Sequence, residues 1–296
     1  MNLTKINYFL TVSRLGSLSA ASTELHISQP TLSGAIRDLE EEYGVTLFKR
    51  HKGGMELTEE GAALFKLAAD VAERAERADE SMLGLGKGKK KITLGVPPMI
   101  GSICLPKIYG EFVRDNPDIE ISIIEGGREE LLEEVRWERI DGAFIPHDTP
   151  VDGDYYSIPI GRLETVLCAH KSNPVLNYSS ISPKELREAK IVLFEDGFLH
   201  TKKIKSWFGA CGVTPNIMLQ TAQLSTIVSI IRENIAIGFL FREMIPAYPP
   251  LVSLPLPSFA PTDVSFILKR REYKSDAIKL FCSYIKQTNL IENCII

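Results

Sequence analysis

Apolar residues recur every three or four positions through residues 3–43, in three runs separated by short polar breaks, which is a helical period. The first run, 3–15, turns Ile6, Phe9, Leu10 and Ser13 to one side. Ser17 can cap a second helix that packs through Ala20, Ala21 and Leu25. His26 and Ile27 leave room only for a turn. Ser28 then caps a third helix, with Pro30 in its first turn, where the missing N–H is harmless. Leu32, Ile36, Leu39 and Tyr43 are spaced 4, 3, 4 and share one face, and Gly44 ends the helix. Two short helices joined by a tight turn behind an opening helix predict a helix-turn-helix.

From Thr58, a plausible N-cap followed by Glu59 and Glu60, the pattern runs without proline to residue 83. Leu64, Ala68, Val71, Ala75, Ala78 and Met82 follow at spacings 4, 3, 4, 3, 4, a heptad seam. Residues 1–57 look too small to cover it, so the seam predicts self-association. Residues 84–91, with three glycines and four lysines, read as a linker. Beyond it, short Val/Ile/Leu/Phe runs at 92–96, 120–125, 142–145, 165–169, 191–194, 235–241 and 264–268 predict strands. Helical patterns at 105–116, 128–138, 202–210 and 224–233 lie between them. Such alternation predicts an α/β region with mainly parallel sheets, and its length suggests two lobes. The expected organisation is therefore α+β and multidomain: a helix-turn-helix module at 1–58, a dimerisation helix and linker at 59–91, and an α/β domain at 92–296.

Composition narrows the class. The chain has 296 residues, of which 44% are apolar and 24% charged, with net charge −4, ordinary values for a globular protein. No stretch approaches the ~18 unbroken apolar residues of a membrane span. The opening MNLTKINYFL lacks the basic start and long apolar run of a signal peptide. Five scattered cysteines, none in a C-x-x-C, argue against a disulfide framework or zinc site and fit the cytoplasm. The mild acidity argues against a protein that coats nucleic acid, while leaving room for a small DNA-reading module.

On the third helix Gln29, Ser33 and Arg37 stand four residues apart, a polar stripe beside the apolar one. Gln pairs with adenine, Ser donates or accepts, and Arg reads guanine or holds phosphate. The segments GSLSAASTELHISQPTLS (16–33), IRDLE (36–40), GVTLF (44–48), Arg50 and LTEEG (57–61) resemble the winged helix-turn-helix of the LysR-type transcriptional regulators. The resemblance extends over essentially the whole chain. It implies that Ser28, Gln29, Pro30, Thr31 and Ser33 approach bases and that Arg37 contacts DNA. Arg50 and Lys52 would begin a wing reaching toward phosphates. Gly34, Ala35 and Asp38 depart from the polar or basic residues frequent after the helix serine, and Gly53-Gly54 replace an arginine-rich wing. Within residues 1–58 six Lys/Arg (5, 14, 37, 49, 50, 52) face six Asp/Glu (24, 38, 40, 41, 42, 56), so the module is formally neutral. A shallow salt dependence and reliance on dimerisation are expected.

In the second half, GVPPMIGS (95–102), EGGR (125–128) and FEDGFLHT (194–201) each follow a strand and precede a helix. Ligands of open α/β sheets sit at such carboxyl ends. The resemblance implies a two-lobed domain like the type 2 periplasmic-binding-protein fold. One lobe is 92–161 with 264–296, the other 162–263, with hinges near Gly161-Arg162 and Pro261-Thr262. By position, Met99, Ile100, Gly101 and Ser102 fall on the first ligand loop and Arg128 on the second. Phe198, His200 and Thr201 fall on the opposite lobe. A small carboxylate is the expected effector, with an apolar tail to suit Met99, Ile100 and Phe198.

No G-x-S-x-G, H-E-x-x-H or Walker loop is present, and the five histidines lie far apart in sequence. No cofactor, metal or catalytic residue is expected. A transport-type binding protein or an enzyme with an accessory helix-turn-helix is the rival class, since two-lobed α/β folds host other functions. The N-terminal module argues against transport, and the missing nucleophile–base pair argues against catalysis. The expected protein is a cytoplasmic regulator. Its partners would be pseudo-palindromic double-stranded DNA, a small organic acid, its own copies as homodimer or homotetramer, and RNA polymerase.

Overall fold

The computed structural model describes residues 2–51, 54–87, 90–151, 153–178, 181–256, 259–270 and 275–291. The chain divides into two compact units, residues 1–88 and 89–296.

In the first unit the predicted helices form at Leu3–Leu15 (α1), Leu18–Glu24 (α2) and Gln29–Tyr43 (α3). Asn2 Oδ1 caps α1 by accepting from the Lys5 N–H at 2.9 Å, and Ser17 and Ser28 cap α2 and α3 in the same manner. Gly16 and Gly44 end α1 and α3 in the left-handed conformation. Ile6, Phe9, Val12, Ala21, Leu32, Ile36 and Leu39 make the core. Val12, rather than Leu10 or Ser13, completes the buried stripe of α1, and Tyr43 lies exposed because it falls in the last turn of α3.

An antiparallel hairpin follows, Phe48–His51 (β1) and Gly54–Leu57 (β2), tied to the helices by one side-chain and one backbone hydrogen bond. Glu40 Oε1 accepts from the Leu47 N–H at 2.7 Å, and the Met55 N–H donates to Gly16 O at 2.8 Å. Gly54 has φ 138°, and a Cβ there would stand 2.5 Å from Gly16 O. The hairpin glycine therefore meets a packing requirement.

Helix α4 spans Glu59–Lys87. Thr58 caps it as expected, accepting from the Gly61 N–H at 2.9 Å while its hydroxyl donates to Thr46 O. The helix continues through Gly84 and Gly86, so these glycines do not start the linker. A glycine costs about 1 kcal/mol in a helix interior, which a long run already nucleated can absorb. Leu64 and Ala68 pack into the core of their own unit, since α4 lies against α1. The predicted seam is thus split: its first two members are covered within the chain, whereas Val71 and Ala78 are exposed and Ala75 is half-buried. The Met82 side chain lies outside the described residues.

The second unit holds two five-stranded sheets. Its strands are Lys90–Val96 (β3), Ile119–Glu125 (β4), Gly142–His147 (β5), Tyr155–Leu163 (β6), Thr165–His170 (β7), Ile191–Leu193 (β8), Ile217–Gln220 (β9), Ile237–Phe241 (β10), Leu251–Pro255 (β11) and Thr262–Lys269 (β12). Its helices are Pro98–Ile108 (α5), Arg128–Arg136 (α6), Leu199–Ala210 (α7), Leu224–Arg232 (α8) and Asp276–Gln287 (α9). The sheet orders are β4-β3-β5-β12-β6 and β11-β7-β10-β8-β9. In each sheet two adjacent pairings are parallel and two antiparallel, so the sheets are mixed rather than mainly parallel. The reason is connectivity: β12, by which the chain returns to the first sheet, lies between β5 and β6 and runs against both, and β7, by which it enters the second, lies between β10 and β11 and runs against both.

The first crossing turns on Glu164 alone, between Leu163 and Thr165. Arg162 still belongs to β6, where it pairs with Asp263 at 2.8 Å. The return crossing falls between β11, which ends at Pro255, and β12, which begins at Thr262. A buried core runs from β3, β5 and β12 of one lobe to β8, β10 and α8 of the other. Ile92, Phe144 and Phe266 from the first lobe and Val192 and Ile231 from the second are closed to solvent in it.

Candidate functional site

Two sites follow from this frame. The first is the outer face of α3. Ser28 Oγ accepts from the Thr31 N–H at 3.3 Å and lies 2.7 Å from Thr31 Oγ1, which holds the first turn with Gln29, Pro30 and Thr31 exposed. Ser19 Oγ donates to Gln29 Oε1 at 3.0 Å, linking α2 to the start of α3. Ser33 is half-buried and Arg37 exposed on the same side. The face turned the other way carries Leu32, Ile36 and Leu39. Asp38 is ion-paired with Lys5 of α1 at 2.9 Å, so its charge is partly answered. A Cβ on Gly34 would meet nothing within 4 Å, so packing does not require that glycine. Arg50 lies in β1 with its side chain outside the described residues, as is the whole of Lys52.

The second site is the cleft between the lobes. It is lined by Pro97, Pro98, Met99 and Ile100 at the start of α5, Arg128 at the start of α6, and Pro146 in β5. Phe194, Phe198, Leu199, His200 and Phe241 line it from the other lobe. The cleft is closed, with a free volume of about 20 Å³, room for roughly one water. At Gly127 a Cβ would stand 2.7 Å from Gly197 O, so the lobes meet there backbone to backbone.

Five of the eight expected effector contacts converge here: Met99, Ile100, Arg128, Phe198 and His200. Three do not. Gly101 and Ser102 line a separate open groove between α5 and α8, and the Ser102 hydroxyl donates to Met99 O at 2.8 Å. Residues 99–102 form the first turns of α5 rather than a loop, because Pro98 enters the helix with its φ already set, and helical rotation carries 101 and 102 away. Thr201 is fully buried in its own lobe and donates to Phe194 O at 3.0 Å. Six lining residues, Pro97, Pro98, Pro146, Phe194, Leu199 and Phe241, are not among the expected eight. Pro146, Phe194 and Phe241 sit at or just beyond the carboxyl ends of strands, the position that marks ligand contacts in such sheets.

The cleft's electrostatics favour an anion. Neither α5 nor α7 has a side-chain cap, and the first turn of each lines the cleft, although Pro97 and Pro98 bring no N–H to it. Helix α6 differs, because Glu130 Oε2 accepts from the Gly127 N–H at 3.4 Å. Arg128 supplies the one cationic side chain among the lining residues, and it is 22% exposed. His200 lies beside it in the lining but is neutral. Burial lowers its pKa to about 4, outweighing the acceptor Phe239 O at 3.0 Å.

That shift has a stability consequence. The unfolded chain binds a proton at His200 near the ordinary 6.5, and the folded chain binds it only near 4. Stability contributed by neutral His200 is therefore complete above pH 6.5 and is lost as pH falls toward 4, at up to about 1.4 kcal/mol per pH unit. Urea midpoints measured across this range should fall for the native chain and fall less for His200→Asn. Parallel pH profiles would sink the assignment.

Among the described residues no three metal-binding side chains cluster, and no helix is long and apolar enough to cross a membrane. Cys104 and Cys168 are buried, which pushes their thiols up to about 12.

A winged helix-turn-helix unit and a two-lobed α/β unit with a closed inter-lobe cleft define a DNA-reading chain with a ligand-binding half. Comparison with known proteins names the family. Residues 3–62 match the family model described as "Bacterial regulatory helix-turn-helix protein, lysR family", and residues 86–289 match "LysR substrate binding domain". Over 291 residues the chain is 27% identical to the uncharacterized HTH-type transcriptional regulator YwbI of Bacillus subtilis, covering 97% of this chain and 96% of that protein. It is 31% identical over 198 residues to the HTH-type transcriptional regulator CfxR of Cupriavidus necator, covering 67% and 62%. Full-length CbnR, solved in complex with its target DNA, shares the fold with a TM-score of 0.76 at 20% identity, covering 97% and 99%. The effector-binding domain of QuiR, solved in complex with shikimate, gives 0.58 at 18% identity, covering 67% and 96%. The chain belongs to the LysR family. It is a DNA-binding transcriptional regulator with an effector-binding domain, and the family's members are not enzymes.

Proposed function

We propose that this regulator reads a pseudo-palindromic DNA site through Gln29, Ser33 and Arg37 and is switched by a small carboxylate held between its lobes. The observation that carries the effector class is Arg128, a single guanidinium in an otherwise apolar and aromatic lining. Arginine matches a carboxylate with two parallel donors. Met99, Ile100, Phe194, Phe198 and Phe241 suit an apolar body on that acid. Entry requires the lobes to part, because the free volume is near that of one water. The acid then controls the protein only by binding one lobe arrangement better than the other.

The DNA half works as paired copies. Exposed Leu67 and Val71, at 66% and 40%, leave an apolar stripe on α4 for a second copy. A homodimer, or a homotetramer of two such dimers, then presents two α3 helices to two half-sites. Movement of the lobes alters the spacing of those helices, and with it DNA bending and the approach of RNA polymerase. As a bacterial DNA-binding protein it works in the cytoplasm.

Fluorescence anisotropy against duplexes from upstream of its own gene and of other operons in the genome, with scrambled controls, tests the reading. A specific preference of about 10³ or more is expected. Gln29→Ala or Ser33→Ala should cost about 1–3 kcal/mol on the specific duplex and little on scrambled DNA. Equal losses on both duplexes would refute base reading by α3.

A further inference from the structure

Arg128 is not the only charge at the mouth of the cleft. Its Nη1 donates to Glu129 Oε1 at 2.9 Å, and Lys202 Nζ, from α7 of the opposite lobe, stands 3.8 Å from the same oxygen. Among the described residues the other ion pair between the lobes is closed on itself. Lys203 Nζ donates to Asp148 Oδ1 at 2.6 Å, to Thr262 Oγ1 at 2.9 Å and to Ala260 O at 3.2 Å, which uses all three protons. Glu130 is engaged at the Gly127 N–H. Two cations, Arg128 and Lys202, thus share one anion, Glu129, while the Glu130 carboxylate keeps its own charge nearby, so the cluster holds no cation for a second anion.

The hydroxyls that could have served a second polar group are already committed. Thr201 donates to Phe194 O, and Ser102 donates to Met99 O on the far side of α5. A carboxylate that takes the Arg128 fork sits beside the Glu129 carboxylate, which then leans on Lys202. A second carboxylate on the same ligand would face Glu129 with no cation of its own. Resting on the reading of Arg128 as the effector's anchor, we propose that Glu129 determines the effector's charge and makes the site selective for monoanions over dianions. Glu129 acts by pairing with both cations and need not touch the ligand.

The test compares hexanoate with adipate, which share a six-carbon chain and differ by one carboxylate, by calorimetric titration of the full-length protein. The native protein should prefer hexanoate. Glu129→Gln should shift the ratio of affinities toward adipate by about tenfold at low salt, and the shift should shrink at high salt. Lys202→Met, which removes a cation, should move the ratio the other way. An unchanged ratio in both variants, with hexanoate binding still dependent on Arg128, overturns the selectivity role and leaves the anchor standing. Absence of Arg128-dependent binding of either acid overturns the anchor, and the selectivity role with it.

Discussion

Arg128→Met is expected to weaken hexanoate binding by at least about thirtyfold while leaving DNA binding in the absence of acid unchanged. Truncating one partner of a desolvated charge pair costs about 2–5 kcal/mol, and every 1.4 kcal/mol is tenfold. Arg128 meets that condition once the cleft closes on a ligand, because no other lysine or arginine lines the cleft. The variant should fold normally. In the free protein the Arg128–Glu129 pair is on the mouth of the cleft, with Glu129 62% exposed, and such pairs add little to stability. Arg128→Lys separates charge from shape, since it keeps the cation and loses the planar fork, so an intermediate affinity is expected. Calorimetry with each variant, beside thermal unfolding, checks both statements. Native-like affinity in Arg128→Met would place the anion elsewhere, with the uncapped start of α7 as the remaining donor set.

The legible parts of this chain are those in which local chemistry and global packing agree. Ser17, Ser28 and Thr58 announce helix starts, and each makes the cap its position predicts. The strands read from sequence are mostly interior ones, β3, β5, β7, β8, β10 and β12, whose continuous apolar runs are buried on both faces. Three strands that escape notice, β6, β9 and β11, stand at sheet edges. They carry the residues that weaken a strand signal. Pro159 and Gly161 lie in β6, Pro215 precedes β9, and β11 ends on Pro255, all tolerable where one side of a strand needs no partner. Helix α9 goes unassigned although Ser275 caps it and Ala277, Ile278, Phe281 and Ile285 hold one buried face. The cleft was legible at Arg128 and Phe198. At Ser102 and Thr201 it was not, because which side of a helix a residue faces depends on the residue at which the helix begins. The α4 seam shows the same limit, since a heptad spacing does not say whether the covering surface is the chain's own α1 or another copy.

The reading helix depends on a core small enough for one ring to matter, and Phe9→Ala is expected to destabilise the first unit by about 3–5 kcal/mol. Phe9 is wholly buried, and its ring lies 5.4 Å from that of Phe48, at the start of the wing hairpin. It therefore joins α1 to β1, while Leu32, Ile36 and Leu39 bring α3 into the same cluster. A unit of 88 residues buries a smaller share of its surface than a large domain, and native stabilities of about 5–15 kcal/mol leave little to spare. The loss corresponds to a fall in midpoint temperature of more than about 12 °C for a unit of this size. The two tryptophans, Trp137 and Trp207, both belong to the second unit, so their fluorescence follows that unit, whereas circular dichroism follows both. The expected result is an early dichroism transition, with DNA binding lost along it, and a tryptophan transition near its native midpoint. A shift of less than about 1 kcal/mol in the early transition would mean that the cluster relaxes into the vacated space and that the α1–β1 contact does not hold α3 in place. Phe9→Leu, which keeps most of the volume, should retain specific DNA binding at temperatures where Phe9→Ala has lost it, as it must if α3 reads DNA only while this cluster is packed.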